Sequence, residues 1–280
     1  MDSNSGTADD ARLLADLYAH NASRQMPQKG SSDQTVACFR RLGAGVVGSA
    51  AVCAFRFRPP GTGSKRAGWR RSGAFFGAVC FEPASRARLR FKAVMRSMTG
   101  GVNDKIGRLD ALVNNAGVNI NDRHWDKLTP ENAKLMIDGN LAAAAQCVTV
   151  ALPLMRAQQD GLIIHTASMA GRFIGGFPGP LYTAAKHGVV AMSHSINMQE
   201  CVNGIRSCVF LPGEVATPIL DQRPNPVGPE ERARMVQPQD CADLILYIAL
   251  LPKRLTMNEV MLSPTWNRAY VAAIRQLSNL

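Results

Sequence analysis

From residue 103 onward, short apolar runs that end in polar loops alternate with longer stretches of helical character, and nothing else in the chain constrains its fold so tightly. Asp110-Ala-Leu-Val-Asn114 reads as a strand leaving through Asn-Asn-Ala-Gly, and Gly161 to Ser168 as a buried strand running into a polar loop. Ile205 to Leu211 is a third strand closed by Pro212-Gly213, and Glu259 to Leu262 a last one before Pro264. Between them the spacing predicts a helix over Asn132–Met155, bent near Gly139 and closed around Pro153. Two more are predicted over Tyr182–Cys201 and Asp240–Leu250. Such alternation predicts parallel βαβ units: an α/β fold with a doubly wound, mainly parallel sheet and helices on both faces. Ligands of such sheets sit at the carboxyl ends of the strands, where Asn114, Ser168 and Pro212-Gly213 fall.

The front of the chain is different. Residues 1–35 read as a polar, flexible leader with one short amphipathic piece, Ala11 to Tyr18. Gln34 to Arg40 is a candidate first strand, followed by Gly43-Ala-Gly45-Val-Val-Gly48 in G-x-G-x-x-G spacing. Glycines so spaced let a backbone turn tightly and approach a pyrophosphate at a helix N-terminus. Here the strand is short, arginines interrupt the turn, and no acid stands about 20 residues downstream to hold a ribose hydroxyl. Arg56, Arg58, Lys65 or Arg66 would instead pair with a 2′-phosphate, which favours NADP over NAD. The same stretch carries helix breakers where a crossover helix ought to run, so a working phosphate loop and a chance spacing both stay open.

Composition narrows the classes. With 46% hydrophobic and 19% charged residues, the 280-residue chain is not wholly disordered. Its charge of +11 is concentrated: between Gln34 and Gly100 thirteen Lys or Arg stand against Glu82 alone. That segment has no zinc-finger spacing, no basic helix with heptads and no aromatic platform, so no specific nucleic acid is expected. Seven cysteines without a CxxC pair point to a reducing compartment. The acidic start, and no stretch read as long enough to cross a bilayer, give the expectation of a soluble cytoplasmic protein without a membrane partner. The five histidines show no ligand spacing, and no metal is expected.

The strongest chemical constellation is Ser168 followed by Tyr182-Thr-Ala-Ala-Lys186, with Asn140 upstream. Tyr182 and Lys186 are four apart, so a helix sets them on one face. A phenol with a pKa near 10 is a poor base at neutral pH, and a nearby ammonium favours its anion. Ser168, at a strand end, would donate to a substrate oxygen on which negative charge develops.

In order and spacing, Asn114-Asn115-Ala116-Gly117, Asn140, Ser168, Tyr182-x-x-x-Lys186 and Pro212-Gly213-Glu-Val-Ala-Thr217 resemble the short-chain dehydrogenase/reductase family over about residues 103–265. The resemblance implies a Rossmann-like fold and reversible hydride transfer between NAD or NADP and an alcohol or carbonyl carbon. It implies Tyr182 as general acid/base, Ser168 as the donor to substrate, and Lys186 as the group that tunes Tyr182 and holds the nicotinamide ribose. Asn140 would hold a relay water. Asn114, Ala116 and Gly117 would line the adenosine side, and Pro212, Gly213, Val215 and Thr217 the nicotinamide end. The family's dimers or tetramers suggest a homodimer or homotetramer using the helices around Asn132–Met155 and Tyr182–Glu200. Pro218–Val236 corresponds to the segment that covers the substrate, and Phe173 and Phe177 to its entrance.

One domain is then expected over 36–270, with an atypical basic segment at 36–102 and a tail at 271–280. The departure lies in that basic segment: Gly43, Gly45 and Gly48 stand about where a phosphate loop belongs, but no Thr precedes them and the order differs. A divergent cofactor loop is one reading of it. The other is a stretch translated in a shifted frame, giving a damaged product or an inactive, interaction-only member.

Overall fold

The computed structural model describes residues 109–217, Leu220 and 227–277 in full. Ahead of them it describes the backbone of β1 (Val46–Ser49), β2 (Val52–Phe55), β3 (Phe57–Arg58) and β4 (Arg70–Arg71). The leader, the candidate first strand, Gly43 and Gly45 lie outside the described residues, as does most of 218–226. Downstream come β5 (Ala111–Asn114), β6 (Gly117–Ile120), β7 (Gly161–Thr166), β8 (Ile205–Pro212) and β9 (Glu259–Leu262). The helices are α1 (Pro130–Ile137), α2 (Ala143–Gln158), α3 (Pro180–Glu200), α4 (Pro229–Ala233), α5 (Pro238–Ala249) and α6 (Arg268–Leu277).

The main sheet runs β2-β5-β7-β8-β9. The four strands β5, β7, β8 and β9 are parallel, and β2 pairs antiparallel with β5. Their sequences explain the layering. Alternate residues of a strand face opposite ways, so Leu162 and Ile164 of β7 pack with Cys241, Ala242, Ile245 and Ile248 of α5. Ile163 and its neighbour Leu112 of β5 turn to the other face, against Cys147, Val148, Ala151 and Met155 of α2 and Ile196 of α3. Val209 and Leu211 of β8 meet Val189 and Val190 of α3. This is the expected doubly wound α/β sandwich, with Phe210 and Ile163 fully buried in its two layers.

The structure differs from the expectations at identifiable points. Pro153 lies inside α2 and does not close it; the helix ends on Gln159 at φ 53°. Met155 is fully buried and Leu152 and Leu154 pack beside it, and burying such side chains at about 1.5–3 kcal/mol each offsets one missing backbone bond. The bend does fall at Gly139, as a π-helical turn over Asp138–Ala142. Because α1, that turn and α2 are continuous, Pro130–Gln158 is 29 residues long and contains an 18-residue window with a mean hydropathy of 1.5, long and apolar enough to cross a bilayer. The expectation that no stretch reaches that length is corrected: an apolar face packed on the sheet produces the same composition as a membrane span. Helix α6 occupies much of the stretch read as a tail.

Candidate active site

Two strand ends and one helix build the site. Beyond β7, Ser168 is in extended conformation and its hydroxyl accepts from Ala170 N at 3.2 Å, capping a one-turn 3-10 helix over Met169–Gly171. Gly171 lets this turn rest on α3: a Cβ there would stand 2.9 Å from the Lys186 carbonyl. Pro212 ends β8, and Gly213 donates to Leu262 O at 2.8 Å. A Cβ at Gly213 would stand 3.2 Å from Met169 Sδ, so the Pro-Gly end of β8 lies against the turn that follows Ser168. Val215 and Thr217 continue away from it, Val215 bridging to Val236.

Helix α3 starts at Pro180, whose missing N–H costs nothing in a first turn. The Ser168 hydroxyl lies close enough to the Tyr182 phenol to lower its pKa. One turn on, Lys186 is 3% exposed, with its ammonium 5.5 Å from the Tyr182 ring centroid and donating to Thr166 O at 3.0 Å. The three groups therefore converge. Burial pushes Lys186 down to about 8. It also pushes Tyr182 up, opposed by the Ser168 hydroxyl.

Asn140 sits in the π-turn, 1% exposed. Its amide donates to Val118 O at 2.8 Å and Met136 O at 2.9 Å, and its Oδ1 accepts from Val118 N at 3.1 Å. Every polar atom of the side chain thus ties β6 to the helix. Gly139 permits that approach, since a Cβ would stand 2.6 Å from Val118 Cγ2. A Cβ at Gly117 would meet Asn140 Oδ1 at 3.2 Å and Lys186 Nζ at 3.4 Å, so glycine keeps the space in front of the ammonium clear. Asn114, at the end of β5, donates to Ala144 O at 3.3 Å and lies 3.3 Å from His165 Nδ1. Its Oδ1 is buried without a hydrogen-bond partner. Ala116 lies in the short connection from β5 to β6. Gly48 lies within β1, opposite Val118 in an antiparallel pair, rather than in a strand-to-helix turn.

The sequence reading missed His165, whose only signal was an imidazole in an apolar strand three residues before Ser168. It is fully buried, and burial followed by repulsion from Lys186 holds it down to about 3. Folded His165 is neutral, whereas the unfolded chain takes up a proton below its ordinary 6.5, so stability falls as pH drops from about 6.5 towards 3. His165→Gln is expected to lose less stability than the parent between pH 7 and pH 4 in urea titrations; equal losses would remove His165 from the acid response.

A family model described as short chain dehydrogenase matches residues 86–227. The chain belongs to that family. Among relatives of this chain, levodione reductase of Leifsonia aquatica is 29% identical over 140 residues, half of this chain and 52% of that one. The match covers between 43% and 74% of the length of such curated relatives. Among solved structures, the closed form of serine dehydrogenase complexed with NADP+ covers 66% of this chain and 75% of its own, at 22% identity and a TM-score of 0.54. Carveol dehydrogenase from Mycobacterium avium in complex with NAD covers 61% and 70%, at 24% identity and a TM-score of 0.51. Both likenesses concern the fold alone.

Proposed function

We propose that the protein is an NAD(P)-dependent oxidoreductase acting reversibly on a small alcohol or carbonyl compound, with Tyr182 as general acid/base. The observation that carries this reading is the convergence of the Tyr182 hydroxyl, the Ser168 hydroxyl and the buried Lys186 ammonium at the carboxyl end of the sheet. Family membership and the NADP+ and NAD held by the two solved relatives support it.

The residues present fit a dinucleotide's nicotinamide end. Gly117 leaves open the space beside Lys186 that a side chain would fill, and a buried ammonium needs acceptors beyond the Thr166 carbonyl. Lys186 would hold the nicotinamide ribose with Tyr182 beside it, and Pro212, Gly213, Val215 and Thr217 would flank the ring. When bound, NAD(P) supplies the redox step of hydride exchange with the substrate carbon.

The chain's own residues supply the proton and the geometry. In the reducing direction Tyr182 Oη gives its proton to the substrate oxygen as negative charge builds there; in the oxidising direction it takes that proton back. Ser168 donates a hydrogen bond to the same oxygen, where a fixed donor counts most as charge develops. Lys186, charged and one turn away, favours the phenolate once Tyr182 has given up its proton. Asn140 holds the π-turn and β6 in register, so a relay water at this position would bond to main chain and not to the engaged side chain.

The second reading, a member that no longer turns over, is favoured by the missing Thr before Gly43 and by Gly48 lying in a strand. Titration of the purified chain with NADH and NADPH, followed by nucleotide fluorescence, separates the two. Saturable binding of either is expected. Binding of neither, by a chain with a cooperative thermal transition, would leave the inactive reading.

A further inference from the structure

We infer that Glu259, through Arg172, is a positioning residue for Ser168: a carboxylate on the last strand that fixes the turn bearing the substrate-facing hydroxyl. The inference rests on the proposed oxidoreductase reading for its consequence and on separate geometry for its existence. Arg172 is the residue on which the Met169–Gly171 turn closes, its N–H donating to Met169 O at 3.0 Å, while Gly171 N donates to Ser168 O at 2.8 Å. Its guanidinium reaches back over α3 to β9. Arg172 Nε donates to Glu259 Oε2 at 2.8 Å, and Nη2 pairs with Oε1. His194, two turns beyond Lys186 on the same helix, places Nε2 2.5 Å from Oε1 and 3.3 Å from Arg172 Nη2. One carboxylate thus gathers the Ser168 turn, the Tyr182 helix and the sheet edge.

Magnitudes favour positioning over stability. Arg172 is 43% exposed and Glu259 26% exposed, and ion pairs in such settings contribute little net free energy. A fork of two parallel N–H···O contacts nevertheless restricts orientation strongly. Arg172, with His194 behind it, holds the Glu259 carboxyl down to about 2, so the anion that grips the fork persists at neutral pH. Ala170 and Gly171 seat the turn on α3, while the Phe173 and Ile174 that follow it are exposed, so the fork at Arg172 is what orients its outer end.

The test compares the full chain with Arg172→Met, Arg172→Lys and Glu259→Gln, each also in a Ser168→Ala background. Amide hydrogen exchange at Ala170–Phe173 is expected to rise about tenfold in Arg172→Met and Glu259→Gln with little change in melting temperature. With carbonyl substrate and NADPH or NADH, kcat is expected to fall about tenfold while the KM for the nucleotide stays within about twofold, Arg172→Lys recovering part of the loss. In the Ser168→Ala background the Arg172 and Glu259 changes are expected to add nothing further, because the hydroxyl they position is gone. Unchanged exchange overturns the clamp whether or not the chain turns over. An equal proportional loss of kcat with and without Ser168 overturns its action through that residue. Faster exchange in a chain whose parent binds nucleotide but shows no turnover upholds the clamp and removes the oxidoreductase reading instead.

Discussion

Tyr182→Phe is expected to lower turnover by about 10²–10⁴-fold while leaving nucleotide affinity within about twofold. The change deletes one oxygen from a ring that otherwise packs unchanged against Val118, Ile120 and Met136. It removes the hydroxyl that stands beside Ser168 one helical turn from Lys186. Steady-state rates with a panel of simple ketones and secondary alcohols, alongside NADH and NADPH titrations, check both halves of the expectation. Turnover equal to the parent's would take the acid/base role from Tyr182. A matching loss of nucleotide affinity would instead assign the phenol to binding.

Asn140→Ala is expected to cost about 3 kcal/mol of stability, read as a lower urea midpoint with an unchanged slope. Its side chain makes three hydrogen bonds at a site 1% exposed, and their removal leaves the Val118 N–H, the Val118 carbonyl and the Met136 carbonyl each one partner short. Each buried group left unpaired costs about 1–3 kcal/mol, although a water entering the gap recovers part of the sum. The π-turn is the weak point of a continuous α1–α2 unit, and such turns survive where side chains hold them. A loss below about 1 kcal/mol would mean that the turn is held by its packing alone.

Much of this arrangement was legible from spacing. Tyr182 and Lys186 share a helix face because four residues make about one turn, and the strand ends at Asn114, Ser168 and Pro212 follow from apolar runs that stop at polar or breaking residues. The bend at Gly139 was legible too, because glycine inside an apolar helical pattern marks a close approach. What lay hidden is what chain separation hides. Arg172 and Glu259 are 87 positions apart, and neither carries a local sign of the other. β6 was missed because Gly117-Val-Asn-Ile120 is short and follows the Asn-Asn-Ala-Gly exit directly. Pro153 misled because local preference gave way to the burial of its neighbours. Charge attraction between Lys186 and Tyr182 can be read from spacing, but the desolvation that pushes the phenol up depends on how much protein closes over the pair.

The antiparallel pairing of β2 along β5 carries a consequence for any shortened form of the chain. Ala111, Leu112 and Val113 are all at most 3% exposed, and β5 has β7 on one flank and β2 on the other. Cutting the chain just ahead of Leu109 would bare a row of main-chain donors and acceptors on a greasy, ready-made template, inviting copies to zip together edge to edge. The four residues Val52–Phe55 thereby act as a guard rail for solubility, whatever the segment around them does for chemistry.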